Sequence, residues 1–190
     1  MRMLLLALVI VASVGSHAQE GSCATLTAKT PEVLRRFLEE QRSSRQSPCL
    51  TLVIKKLGQI HDVDAIPLLV GYLDYMDPKT APLSNGGATV WPSYPAVSAL
   101  FQIGKPAANE LLSAIQAGRS AELRANSTKA YMYIYRDNLS LGIQALKSAE
   151  LQATTEDERR RLSAARQELT NHCKARGEKE AEACRAAAAV

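Results

Sequence analysis

The feature that most constrains this chain is a helix–turn–helix pattern that recurs along it. The stretch VSALFQIGKPAANELLSAI, residues 97–115, holds two apolar stripes separated by Gly-Lys-Pro. Within each stripe the apolar positions follow the spacing i, i+3, i+4 and i+7, which is typical of one face of a helix. Lys105 precedes a proline and is disfavoured in a helix, so the first helix is expected to end there. Pro106 suits the first turn of the second helix.

The same pattern occurs upstream and downstream of this stretch. The stripes are Leu50, Val53, Ile54, Leu57; Ile66, Leu69, Val70, Leu73; Ser127, Ala130, Tyr131, Ile134; and Leu139, Gly142, Ile143, Leu146. Each helix pair is too small to bury its own apolar face, so neighbouring pairs are expected to stack. The sequence therefore predicts an all-α fold, a short right-handed α-solenoid of about three helix pairs with flanking capping helices.

The predicted boundaries follow from composition and charge. The repeats occupy 48–150, with helix pairs at 48–75, 94–117 and 121–150. A loop at 76–93 is inserted between the first two pairs, where prolines and a Gly-Gly pair exclude a regular element. The N-terminal segment 19–47 contains a capping helix with Thr30 as its N-cap and Pro31 at its first position. Residues 151–190 form a charged helix and tail that cap the other end of the stack.

Two segments, VIKKLGQI…DAIPLLVGYLD and AVSALFQIGKPAANELLSAI, resemble the HEAT-like repeats of the bilin-lyase type. In those repeats the first helix ends in Leu-Gly or Ile-Gly, and the second contains Pro-Leu-Leu or a similar run. The resemblance covers about residues 48–150, and the third unit departs from it because Tyr135 stands where the glycine is expected. The resemblance implies an α-solenoid fold more than any one activity.

The first eighteen residues predict export. Arg2 supplies a positive charge and Met3–Val14 an apolar run, and small residues then place a signal-peptide cleavage site between Ala18 and Gln19. The run is too short for a membrane anchor, which needs about 20 residues. Cys23 lacks the apolar neighbours of a lipoprotein signal. We expect a secreted or periplasmic protein with no membrane span in the mature chain.

Four cysteines remain after cleavage, and an even count in an exported chain favours two disulfides. Three pairings are open, and loop-closure entropy mildly favours Cys23 with Cys49 and Cys173 with Cys184. The second pairing requires the chain to turn back, because eleven residues of unbroken helix span about 16 Å and a disulfide tolerates about 7 Å. Gly177 is the position where that turn is expected.

Three groups of residues are candidates for chemical sites. His61, Asp62 and Asp64 in the turn HDVD fit either a small metal site or ordinary helix capping, and capping is favoured. His172 and Cys173 are adjacent on a helix, where neighbours point about 100° apart, so they do not form a base–nucleophile pair. The run Arg159–Arg161 follows three acidic residues and is expected to pair with them. No catalytic residue, metal or cofactor is predicted.

Net charge and aromatic content exclude a nucleic-acid partner. The formal net charge is +4, and +3 after removal of Arg2, which is too small to indicate binding to a polyanion. No aromatic residues interleave the arginine run to stack bases. Asn126 and Asn138 each match the glycosylation acceptor motif, but both are expected to lie in or beside helices.

The inserted loop holds the leading candidates for partner binding. Trp91 is the only tryptophan in the chain and lies near Tyr94 and Asn85. Insertions in repeat proteins often bind partners, whereas a lone tryptophan is usually buried, so Trp91 either anchors a partner or covers a gap between repeats. Tyr133 is out of phase with the apolar stripe of its helix and is a fourth candidate.

These patterns favour a binding or assembly module with no catalytic activity of its own. A protein partner is expected, and dimerisation through an open end of the short array is a further expectation. One alternative is an enzyme or enzyme subunit of lyase type that uses a cysteine. A second alternative is a purely structural, disulfide-stapled helical domain.

Overall fold

A computed structural model describes residues 23–80, 93–175, 182–184 and 186–187. Within them the protein is all-helical and contains no strand, which confirms the predicted class. The main helices are α1 (Pro31–Gln41), α2 (Leu50–Gln59), α3 (Ile66–Val70), α4 (Pro95–Ile103), α5 (Ala108–Ala117), α6 (Ala121–Ile134), α7 (Leu139–Gln152) and α8 (Glu156–Lys174). The predicted signal peptide lies outside the described residues.

The six helices of the three predicted pairs are present: α2 and α3, α4 and α5, and α6 and α7. Helix α4 packs between α2 and α6, while α5 packs against α3 and α6. The predicted apolar stripes supply most of the core, because helical periodicity places them on one side of each helix. The superhelical arrangement of a solenoid stays a prediction.

The third pair departs from the first two in its packing. Helix α7 packs chiefly against α8, and α8 also packs against α5. The thin apolar stripe of α8 makes this possible, since Leu162, Ala165 and Leu169 are all buried. An added Cβ at Gly142 of α7 would lie 3.0 Å from Tyr135 Cγ and 3.3 Å from Leu169 Cδ2, so the glycine leaves room for both side chains. The charged C-terminal helix is therefore an integral part of the core.

The turns differ in detail from the sequence prediction. Helix α4 ends at Gly104, whose φ of 81° is readily adopted only by glycine. Pro106 lies in a 3₁₀ turn, Lys105–Ala107, and α5 begins after it at Ala108. Helix α3 is only five residues long and continues to the buried Leu73 through i→i−3 hydrogen bonds.

Helix α8 begins with a capping box. The Thr155 hydroxyl accepts a hydrogen bond from the Glu158 amide at 3.2 Å, and the Glu158 carboxylate accepts from the Thr155 amide at 3.1 Å. Hydrogen bonding, chiefly from the Thr154 hydroxyl, lowers the pKa of Glu158 to about 2.

In the described parts of the chain, no helix is both long and apolar enough to cross a membrane.

Both favoured disulfides are present, and they leave no free cysteine. Cys23 is bonded to Cys49 and Cys173 to Cys184, with Cα–Cα distances of 5.1 and 6.5 Å. Each bond ties a terminal segment to an end of the helical stack. Gly177, the expected turning point, lies outside the described residues.

Candidate interaction surface

The predicted partner-binding residues fall into two groups. Trp91 and Asn85 lie outside the described residues. Tyr94 precedes α4, is half-buried, and its hydroxyl donates to Glu122 Oε1 at 2.5 Å. Tyr133 is half-buried and packs edge-on against Phe101, with ring centroids 6.3 Å apart. Both described tyrosines therefore already make contacts within the fold.

The Tyr94 contact predicts a pH effect. Burial, followed by the hydrogen bond to Glu122, raises the pKa of Tyr94 from its ordinary value of 10 to about 12. The resulting stabilisation is complete below pH 10 and is lost as the pH rises through 12. We expect Tyr94→Phe to destabilise the fold by about 0.5–1 kcal/mol at neutral pH. Tyrosinate absorbance should show that the variant lacks one group titrating near 12; an unchanged titration would contradict the assignment.

The two glycosylation motifs occupy different environments. Asn126 is 2% exposed, and its side-chain amide donates to the Leu73 carbonyl at 2.7 Å. Asn126 is therefore not accessible in the folded protein. Asn138 is the N-cap of α7, as its local sequence predicts, and accepts from the Leu141 amide at 3.4 Å.

The HDVD turn is used for capping and for an ion pair. Both carboxylate oxygens of Asp62 accept from Arg35 Nη1 at 2.7 Å, and Asp62 also accepts from the Asp64 amide at 3.2 Å. His61 is exposed and has a φ of 52°. Within the described residues no group of three or more His, Cys, Asp or Glu side chains converges as a metal site would require. The capping interpretation is confirmed for Asp62 alone.

The arginine run is paired within the fold, as its spacing predicts. Arg159 contacts Glu156 at 2.6 Å and Arg160 contacts Asp157 at 3.7 Å. Arg161 departs from the prediction, because its guanidinium donates to the Gln116 carbonyl at the end of α5 at 2.9 Å. That contact joins residues 45 positions apart, which local spacing does not reveal.

A groove along α2 is the main surface that sequence reasoning missed. The short helical turn at 23–28 lies beside α2 and leaves an open groove of about 400 Å³. Its lining residues are Ala24, Thr27, Ala28, Leu52, Lys55, Lys56 and Gln59. Leu52 is 46% exposed and lies in the first turn of α2. The sequence feature that could have indicated this groove is Leu52, an apolar residue that lies outside the buried stripe of α2 and three positions before a lysine pair.

The charged side chains that line the groove are all positive. No Asp or Glu occurs in α2, in α4, or among the described residues that line the groove. Nor does any described carboxylate lie within ion-pair distance of Lys55 or Lys56. The Cys23–Cys49 bond fixes one wall, because it ties the turn to the start of α2. We call this surface, defined by its seven lining residues, the lysine groove.

A second open groove lies next to it but differs in charge. It is formed by the start of α1 and the turn after α2, and includes the exposed side chains of Ile60 and Val63. Its single cation, Arg35, is held by Asp62 and also lies 3.6 Å from Asp64 and from Glu32. The arginine of this groove is therefore already paired, and the three carboxylates around it give the groove a net negative charge.

No protein-family model, curated protein or solved structure matches this chain.

Proposed function

We propose that this protein is an exported HEAT-like repeat module that binds a protein partner and has no catalytic activity of its own. The stacking of α4 between α2 and α6 supports a repeat array. One observation carries the binding role: an exposed leucine, Leu52, lies in an open groove beside two lysines that have no carboxylate partner among the described residues. Contiguous exposed apolar surface is typical of interaction sites, and Ala24 and Ala28 extend the apolar surface of Leu52 in this groove.

The lyase alternative is less well supported. A cysteine nucleophile requires a thiolate, and all four cysteines of the chain are in disulfides. Cys173, the cysteine next to a histidine, is 1% exposed, while His172 lies on the surface. The purely structural alternative predicts that no partner binds, so a binding experiment separates it from the proposal.

The test is capture followed by titration. The mature chain, residues 19–190, is immobilised and exposed to the secreted and envelope fractions of the cells that produce it. A captured protein is purified and titrated calorimetrically against the wild type, Leu52→Ser and Leu141→Ser. Leu141 is the matched control, because it is 45% exposed but lies on α7. We expect Leu52→Ser to weaken binding about tenfold and Leu141→Ser to leave it unchanged.

The other outcomes are equally informative. Failure to capture any partner would contradict the binding role and favour the structural alternative. A partner lost with Trp91→Ala but kept by Leu52→Ser would move the site to the inserted loop. A second copy of the chain is the remaining candidate partner, and light scattering of the purified protein tests for it. Leu151 of α7, which is 77% exposed, is the residue to substitute if a dimer forms.

A further inference from the structure

We propose that the lysine groove binds an acidic, amphipathic polypeptide segment. Carboxylates of the segment contact the ammonium groups of Lys55 and Lys56, and an apolar side chain covers Leu52. This inference rests on the proposed function and names the chemistry of the partner.

Charge complementarity is the first argument. Lys55 is exposed and Lys56 is half-buried, and both line the groove. The neighbouring groove shows the opposite case, since Arg35 there is neutralised by Asp62 at 2.7 Å. A cation already bound by its own carboxylate offers little to a partner, whereas the two lysines of the lysine groove have no carboxylate partner among the described residues. Such a surface speeds the association of a negatively charged partner and helps to fix how that partner is aligned along the groove.

The apolar floor is the second argument. Ala24, Ala28 and Leu52 supply apolar surface between the polar side chains of the groove. A partner that carries only charge would leave Leu52 exposed, so the best fit alternates carboxylates with apolar residues. None of the described lining residues is aromatic, and single-stranded nucleic acids depend on aromatic side chains for base stacking. A polypeptide is therefore favoured over a nucleic acid.

The rigidity of the groove is the third argument. The Cys23–Cys49 bond holds the turn at one end of α2. Within the turn, the Ala28 amide donates to the Ala24 carbonyl at 3.2 Å, and the Thr27 hydroxyl donates to the same oxygen at 3.1 Å. Both walls are formed before a partner arrives, which reduces the ordering cost of binding.

The test uses a defined probe, a fluorescein-labelled sixteen-residue peptide of Glu-Glu-Leu-Leu repeats, titrated with the mature chain and followed by anisotropy. We expect saturable one-to-one binding that weakens about tenfold in the double variant Lys55→Gln/Lys56→Gln. Arg160→Gln/Lys174→Gln is the matched control: it removes the same charge from exposed positions on α8, and should bind as the wild type does. Raising the salt concentration should weaken binding to the wild type more than to the lysine variant.

Three results would overturn the inference: no saturable binding, equal weakening in both double variants, or tighter binding of an oligothymidine probe than of the peptide. Thermal unfolding of each variant guards against misfolding, and Leu52→Ser provides an independent variant of the same groove. The outcome is separable from that of the capture experiment. A captured partner that binds Lys55→Gln/Lys56→Gln as tightly as the wild type would refute the acidic-segment inference and leave the binding role intact.

Discussion

Gly58→Val is expected to lower the free energy of unfolding by about 2–3 kcal/mol, because no space exists for a side chain at this position. A Cβ added to Gly58 would lie 2.5 Å from Ala99 Cα and 2.7 Å from Ala99 Cβ. The obstacle is the backbone of α4 rather than a flexible side chain, so α2 and α4 must move apart. Since α4 packs between α2 and α6, the strain is transmitted to the centre of the core. Urea denaturation followed by circular dichroism measures the loss.

Gln59→Val is the control for this experiment. It introduces the same side chain one position further along α2, where the native residue is exposed. Its effect should stay within about 0.5 kcal/mol. If both variants lose a similar free energy of unfolding, the loss comes from the low helix propensity of valine. The contact between α2 and α4 would then have room for a side chain at Gly58. Adding Ala99→Gly to Gly58→Val should recover only part of the loss, because the Ala99 Cα remains in place.

The helices were predictable because burial follows a local period. Leu57 and Leu100 were placed in the core by spacing alone, and both are fully buried. The end of α4 was predicted to within two residues from the Lys105-Pro106 pair, whereas the helix ends at Ile103 and Gly104 turns the chain with a φ of 81°. The three acidic residues before the arginine run were also visible in the sequence, and the third of them, Glu158, completes the capping box of α8.

Contacts between distant parts of the chain were not predictable. Arg45 donates to Asp74 at 2.6 Å and to the Gly71 carbonyl at 2.8 Å, and its guanidinium lies 5.2 Å from the centre of the Tyr72 ring. These partners are 26 to 29 residues away, and no periodic pattern connects them. The packing of α8 against α5 was missed for the same reason: its apolar stripe is thin, and the sequence does not say which helix it faces.

One wall of the lysine groove follows from local sequence, and the other depends on a contact between distant residues. The exposed face of α2 was implied once its buried stripe was known. The second wall was not, because its position depends on a covalent bond between residues 26 positions apart. Three disulfide pairings were open from sequence, and only one of them brings the turn at 23–28 beside Leu52. Neither lysine was singled out from the sequence, because the groove exists only when the turn at 23–28 lies beside α2.

Replacing both Cys23 and Cys49 with alanine is expected to cost about 3.5 kcal/mol of stability, since the bond closes a long loop. The matched variant, Cys173→Ala/Cys184→Ala, should cost about 3 kcal/mol, because its loop spans 11 positions rather than 26. Both cysteine pairs are buried, so alanine removes comparable packing in each case. Guanidinium denaturation of the two variants and the wild type measures these losses.

The two disulfide variants should differ more in the hydrogen exchange of the groove than in their free energies of unfolding. Loss of the Cys23–Cys49 bond frees the turn that forms one wall, so amide hydrogen exchange should accelerate at Ala28, whose amide is bonded only within the turn. The C-terminal variant should leave that amide protected, since its bond lies at α8. If Ala28 stays protected in both variants, packing rather than the disulfide holds the turn against α2. The lysine groove would then persist under reducing conditions, and a stability loss below about 1 kcal/mol should accompany that result.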